Sequence, residues 1–283
     1  MSVFHTALRK ALAPAFSALA KSGEKKTGEP GVISGDIKLI NDFSYDLSDG
    51  VCFGQGITTD GKYFYGFGAL KVADFNCVVK IDAKTGAIVN RNEMCIPHEL
   101  MLKGYSHLGD GCCYNGKLYV ACEDFGFRNP AIFVYDADTL QFVEYRVIPS
   151  ECSGDRHVPW CTIKDDILYF TQFDNVCEIK MLDMNDGFRY KGSIYIDKTL
   201  FKVQGGDFYD GKLYLATDDG DKQKPAYKID IEKGTCEEYF LRSTGKRNTE
   251  AEGMTVCEFE NGSLFHLIDV GTSVHIRSYA LTK

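Results

Sequence analysis

Two histidines, His107 and His157, stand in matching contexts. Each lies nine residues ahead of the second residue of a tight-turn pair, Asn115-Gly116 in one case and Asp165-Asp166 in the other. Measured from the same turns, Asp110 and Trp160 are equivalent at six residues before, and Gln55 holds that place ahead of Asp60-Gly61. Gln204 and Asp207 fill nearby places before Asp210-Gly211, and Glu250 and Glu252 lead into the strand before Asn261-Gly262. Seven residues beyond the turns come Gly68, Glu123, Phe173, Asp218 and Asp269, and eight beyond come Ala69, Asp124, Asp174, Asp219 and Val270. If the strands flanking each turn are antiparallel, all these groups meet at the end opposite the turn.

Such a set has definite chemistry. An imidazole beside a carboxylate works as acid and base, which makes His107, His157, Asp110 and Glu252 the catalytic candidates. Trp160, Gln55, Gln204 and Glu123 are the candidates for holding a substrate by stacking and hydrogen bonding. A ring of carboxylates and carbonyls suits Ca²⁺, while added histidines admit Zn²⁺ or Mn²⁺. Plainer roles compete: Asp after a strand is a common turn former, and a lone Trp serves a core as readily as a ligand. Tyr119, Tyr169 and Tyr214 recur with the strand and read as packing.

The elements that must position these groups follow from the repeat. The second turn residues fall at 61, 116, 166, 211 and 262, each followed by an aromatic strand such as Lys117-Leu118-Tyr119-Val120. Asn-Gly and Asp-Gly are strong hairpin signals because both residues tolerate positive φ. A second, looser turn recurs as Asp82–Gly86, Asp136–Leu140, Asp183–Gly187 and Asp230–Gly234, with a strand on either side. Four short antiparallel strands every 50 residues or so are the content of a propeller blade. The fold class is therefore all-β, a five-bladed β-propeller of four-stranded antiparallel blades. The fifth repeat ends one strand short, and Asp36–Tyr45 supplies the missing strand, so an N-terminal strand closes the ring and removes its open edges.

The domain plan is a short N-terminal amphipathic helix and linker over residues 1–32 and a single propeller over 33–283. Phe4, Leu8, Leu12, Phe16 and Leu19 recur at helical spacing, and Lys21–Pro30 is polar. No apolar run is long enough to span a bilayer as a helix. A net charge of −8 without a basic tract argues against nucleic acid as a partner. The expected partner is a small-molecule ligand, and nothing fixes the oligomeric state. The 11 cysteines are scattered, with no CxxC pair, and read as reduced small hydrophobes of a cytoplasmic protein. Export is the alternative if residues 1–20 act as a weak signal peptide. Signatures of serine-hydrolase elbows, P-loops, dinucleotide folds and HExxH zinc sites are absent.

With His157-Val158-Pro159-Trp160, Gln204-Gly205-Gly206 and Ala251-Glu252-Gly253-Met254 in view, the chain resembles the gluconolactonase (SMP-30)-like and NHL/YncE-like propellers. The resemblance covers residues 33–283 and rests on blade-level features. It implies a divalent cation, often Ca²⁺, at the channel mouth, and by similarity Asp207, Asp218 and Glu252 as its ligands. Those relatives usually have six blades, and their ligands do not match one for one here. The expected function is a metal-assisted hydrolase or lactonase-like enzyme acting on a small polar molecule at the mouth. The alternatives are a non-catalytic propeller binding a sugar, peptide or protein, and a lyase or isomerase with a histidine base.

Overall fold

The computed structural model describes residues 25–26, 29–46, 51, 53–70, 75–153, 157–220, 223–247 and 249–282. Five antiparallel blades form a ring. Blade one comprises Gly56–Thr59, Tyr63–Leu70, Phe75–Asp82 and Ile88–Asn92. Blade two comprises Tyr105–Tyr114, Lys117–Asp124, Ala131–Asp136 and Phe142–Val147. Blade three comprises Thr162–Lys164, Ile167–Phe170, Val176–Asp183 and Arg189–Leu200. Blade four comprises Val203–Tyr209, Lys212–Thr217, Gln223–Asp230 and Thr235–Ser243. Blade five comprises Glu250–Val256, Ser263–Val270 and Ser273–Leu281, completed by Ile37–Asp46. The closing strand is thus the one the repeat count requires.

Turn chemistry sets the hairpins. Asn115-Gly116, Asp165-Asp166 and Asp210-Gly211 have positive φ at both residues, from 45° to 73°, the primed-turn geometry that matches strand twist. In the looser turns the leading aspartate caps the bend. Asp82 accepts from the backbone N–H of Lys84 and Thr85, and Asp136 from that of Asp138 and Thr139.

Apolar clusters join every neighbouring pair of blades. Tyr65, Phe67 and Val78 of blade one pack with Leu118, Phe133 and Tyr135 of blade two. Across the closure, Ile57, Phe64 and Val79 of blade one pack with Ile268 and Ile276 of blade five. The ring is therefore sealed by hydrophobic burial as well as by strand pairing.

Two observations depart from the sequence reading, one in the linker and one at a cysteine. Gly31–Ser34 adds a fifth strand to blade four, and Lys25–Lys26 pairs with Lys246–Arg247, so residues expected to be linker join sheets. The expected N-terminal helix lies outside the described residues. Cys77 is disulfide-bonded, whereas nine other cysteines are free thiols, so the all-reduced expectation does not hold at that position. Among the described residues no helix is long and apolar enough to cross a membrane.

Candidate functional site

A carboxylate sits where the blades meet. Asp110, on the first strand of blade two, is fully buried. Its Oδ1 accepts from the backbone N–H of Ile57 in blade one at 2.7 Å, and its Oδ2 from that of Met254 in blade five at 3.1 Å. Its own N–H donates to the carbonyl of Pro159, which leads into blade three. A methyl group on Gly205 of blade four would collide with Oδ2, and one on Gly253 with Oδ1. Asp110 therefore touches all five blades. Burial lifts its carboxyl well above the usual range, although the two backbone donors favour the ionised form. Asp207 links blades similarly, accepting from Thr162 of blade three and from the Thr255 hydroxyl and Val256 N–H of blade five.

A cavity of about 530 Å³ is lined by residues from the corresponding strand ends of the blades, among them Gln55, His107, His157, Gln204, Asp218 and Glu252. The volume lies in the range of small-molecule sites. Bulges in the first strands help to aim these groups. Pairing slips between Val203 and Gly205, which releases Gln204, and between Ala251 and Met254, which releases Glu252. Such bulges re-aim side chains at functional sites.

His157 is the best-supported group at the wall. Its Nδ1 lies 2.5 Å from Oε1 of Glu123, and the same oxygen accepts the Val158 N–H at 2.6 Å. Glu123 is 1% exposed and its Oε2 is buried without a hydrogen-bond partner among the described residues. The imidazole lies between Phe127 and Phe173, each with its ring centroid 4.7 Å away. A carboxylate on Nδ1 fixes the tautomer and leaves Nε2 as the basic nitrogen. Glu123 is also the cross-strand partner of His107. On the far side, Gln55 donates from Nε2 to Glu252 Oε1 at 3.2 Å, and both residues are buried.

The cavity brings together six of the residues the sequence singled out: Gln55, His107, His157, Gln204, Asp218 and Glu252. Glu123 stands behind His157. Three others are placed elsewhere. Asp110 is the axial pin just described. Trp160 is fully buried in the core between blades three and four, its Nε1 satisfied by the Thr171 hydroxyl at 2.9 Å, so it offers no face to a ligand. Asp207 spends its carboxylate on its four donors.

The donors expected for a cation do not assemble. Among the described residues no group of three or more His, Cys, Asp or Glu side chains is placed to hold a metal ion. Asp218 is ion-paired with the buried Lys224 at 2.7 Å and accepts the Ala251 N–H. The triad Asp207, Asp218 and Glu252 thus does not fit a Ca²⁺ cage, which needs six or more oxygens around one point.

Phe127, Phe173 and Lys202 also shape the wall but carry no polar-motif signal in the sequence. Phe173 shares the register position of Glu123 and Asp218, which is the one clue to it. Phe127 and Lys202 hold left-handed backbone at φ 51° and 49°. Asp124 stabilises the first bend by accepting the Arg128 N–H, and Asp174 the second by accepting the Lys202 N–H. These two aspartates are loop formers. Unfavourable φ held in place by hydrogen bonds is typical of functional loops.

No family model matches the chain, and no curated protein sequence matches it. Among solved structures it is similar to a glutaminyl cyclase from Myxococcus xanthus, with TM-score 0.61 and 9% identity over 87% of this chain and 97% of that one. It is also similar to a tail fiber of Staphylococcus aureus phage P68, with TM-score 0.51 and 15% identity, covering 95% of this chain and 56% of that one. A gluconolactonase from Xanthomonas campestris aligns with TM-score 0.47 and 12% identity over 89% of this chain and 95% of that one. For the glutaminyl cyclase and the tail fiber the likeness at these identities is one of fold.

Proposed function

We propose that the protein is a hydrolase of small polar carbonyl compounds, esters or lactones, with His157 as general base. The observation that carries this is the His157–Glu123 pair at the wall of the cavity. Glu123 orients the imidazole and stabilises the imidazolium that forms when His157 removes a proton from attacking water. Phe127 and Phe173 restrict the ring to one orientation. Gln55 and Gln204 provide amide donors and acceptors for the substrate's polar groups. The same imidazolium returns its proton to the leaving alkoxide, which closes the cycle without a covalent enzyme intermediate. This scheme needs no metal, and among the described residues no group of three or more His, Cys, Asp or Glu side chains is placed to hold one.

The test is hydrolysis of a panel of neutral lactones and aryl esters by the whole chain, before and after treatment with a chelator. His157→Ala is expected to lower kcat/KM by about 10²–10⁴, the usual share of a general base. Unchanged turnover in that variant would sink the reading. Ligand binding without turnover on any substrate would instead make the propeller a binding module.

A further inference from the structure

We propose that Phe125, at the rim of this cavity, binds an aromatic ring of the substrate, so that the esters or lactones taken are aryl-bearing compounds. The inference rests on the hydrolase reading of the same cavity and names its substrate class.

The ring of blades divides the cavity wall by chemistry. Among the described residues its phenyl groups come from blades two and three alone. Phe125 and Phe127 follow the strand Lys117–Asp124, and Phe173 follows Ile167–Phe170. Side-chain amides and glutamates come from the remaining blades: Gln204 from blade four, Glu252 from blade five and Gln55 from the lead into blade one. A ligand lying across the cavity therefore meets hydrogen-bonding groups on one flank and rings on the other. His157 stands between two of the rings, which puts the reacting carbonyl at the edge of the aromatic sector.

Phe127 and Phe173 are spent on the imidazole, each with its centroid 4.7 Å away, whereas Phe125 keeps 87% of its surface exposed. A lone exposed phenylalanine is ordinary on a protein surface. This one differs in lining a cavity and in standing on a pinned backbone. Its N–H donates to the Gly104 carbonyl at 2.9 Å, and the Asp124 carboxylate before it accepts the N–H groups of Arg128 and Asn129 at 2.6 and 3.2 Å. A ring displayed on fixed backbone has little freedom left to lose when a ligand covers it. An aromatic partner gains an offset or edge-on contact beyond area burial, which a saturated ring of similar size does not. The cavity, about 530 Å³, has room for a one-ring ester.

Three neutral amides share one polar end and differ in the body: phenylacetamide, cyclohexylacetamide and acetamide. They are the hydrolysis-resistant counterparts of simple esters, so their binding is read without turnover. Titration calorimetry with the whole chain is expected to rank phenylacetamide at least about tenfold tighter than acetamide and severalfold tighter than cyclohexylacetamide. Phe125→Ala, at an exposed side chain, is expected to weaken phenylacetamide about tenfold, and Phe125→Trp to keep its affinity. The ratio of kcat/KM for methyl phenylacetate over methyl acetate is expected to fall by a similar factor in Phe125→Ala, through KM. Equal binding of phenylacetamide and cyclohexylacetamide, wild-type affinity in Phe125→Ala, or no binding of phenylacetamide overturns the proposal. The two readings fail separately. A Phe125-dependent ring preference in a protein that hydrolyses no ester removes only the base, and His157-dependent turnover without that preference removes only the ring site.

Discussion

Glu123 and Asp269 hold the same register position in different blades and have opposite fates. Glu123 orients an imidazole that faces a cavity. Asp269 is fully buried between Arg242 and Arg277, and although burial opposes its ionisation, the two guanidiniums hold its carboxyl below the usual range. For Glu123 the conservative change is informative. In Glu123→Gln the amide oxygen can still accept from His157 and Val158, and its NH₂ takes the site of the unpartnered Oε2. Stability is expected to change by less than about 1 kcal/mol while kcat falls by roughly 10–10³, because the imidazolium loses its counter-charge. A thermal melt and a kcat measurement on the same preparation separate the two. A second histidine predicts pH behaviour. His266 is buried, its Nδ1 on the Ser278 hydroxyl and its Nε2 donating to the Cys257 carbonyl, and burial lowers its pKa to about 4. A lowered histidine pKa means that the unfolded chain binds the extra proton between about 6.5 and 4. Its contribution to stability is therefore full above 6.5 and is lost as pH falls toward 4, about 3 kcal/mol in all. Urea titrations at stepped pH are expected to show that slope, and His266→Gln to flatten it.

At the scale of the strand, Asp110 shows what the sequence conceals. The residue sits in a run, Leu108-Gly109-Asp110-Gly111, where pairing with the second strand slips between Leu108 and Gly111. An apolar strand pattern of period two does not mark an extra residue, so the bulge, and with it the aim of the carboxylate, was not legible. The hairpins were legible because Asn-Gly and Asp-Gly announce themselves, and Asp165-Asp166 was found by spacing alone. The cavity followed in part: residues placed by counting from the turns line it wherever the first strand keeps or bulges toward the channel, as at Gln55, Gln204 and Glu252. Counting fixes height along a strand and not the side that a bulged strand presents, which hid the place of Asp110, while Trp160 precedes the short strand Thr162–Lys164 and takes the core role left open for it. Asp110→Ala would strand the N–H groups of Ile57 and Met254 in a dry interior. A loss of about 2–5 kcal/mol is expected in denaturant unfolding, whereas Asp174→Ala, at an exposed loop, is expected to cost no more than about 1 kcal/mol.

Across the whole ring, closure depends on a single strand. Ile37–Asp46 pairs with Ser273–Leu281 along its length, and Asp42 binds Arg277 and His275 from the closing side. Removing residues 1–46 would leave Ser273–Leu281 as a long, largely buried edge stripped of its partner. The truncated chain is expected to be aggregated in size-exclusion chromatography. Added peptide 29–46 is expected to recover some soluble monomer, as strand addition restores the missing hydrogen bonds.

That same closing strand imposes an order on biosynthesis. Its ion pair joins Asp42 to Arg277, residues 235 positions apart in the chain. It leaves the ribosome well ahead of its partner, Ser273–Leu281. Blades one to four can form as they emerge, but Ile37–Asp46 must wait with an unpaired edge until Ser273–Leu281 has been made. Closure of the ring therefore waits for two distant segments to meet, and throughout that delay the nascent protein offers a free strand that another copy, or a chaperone, can take up first.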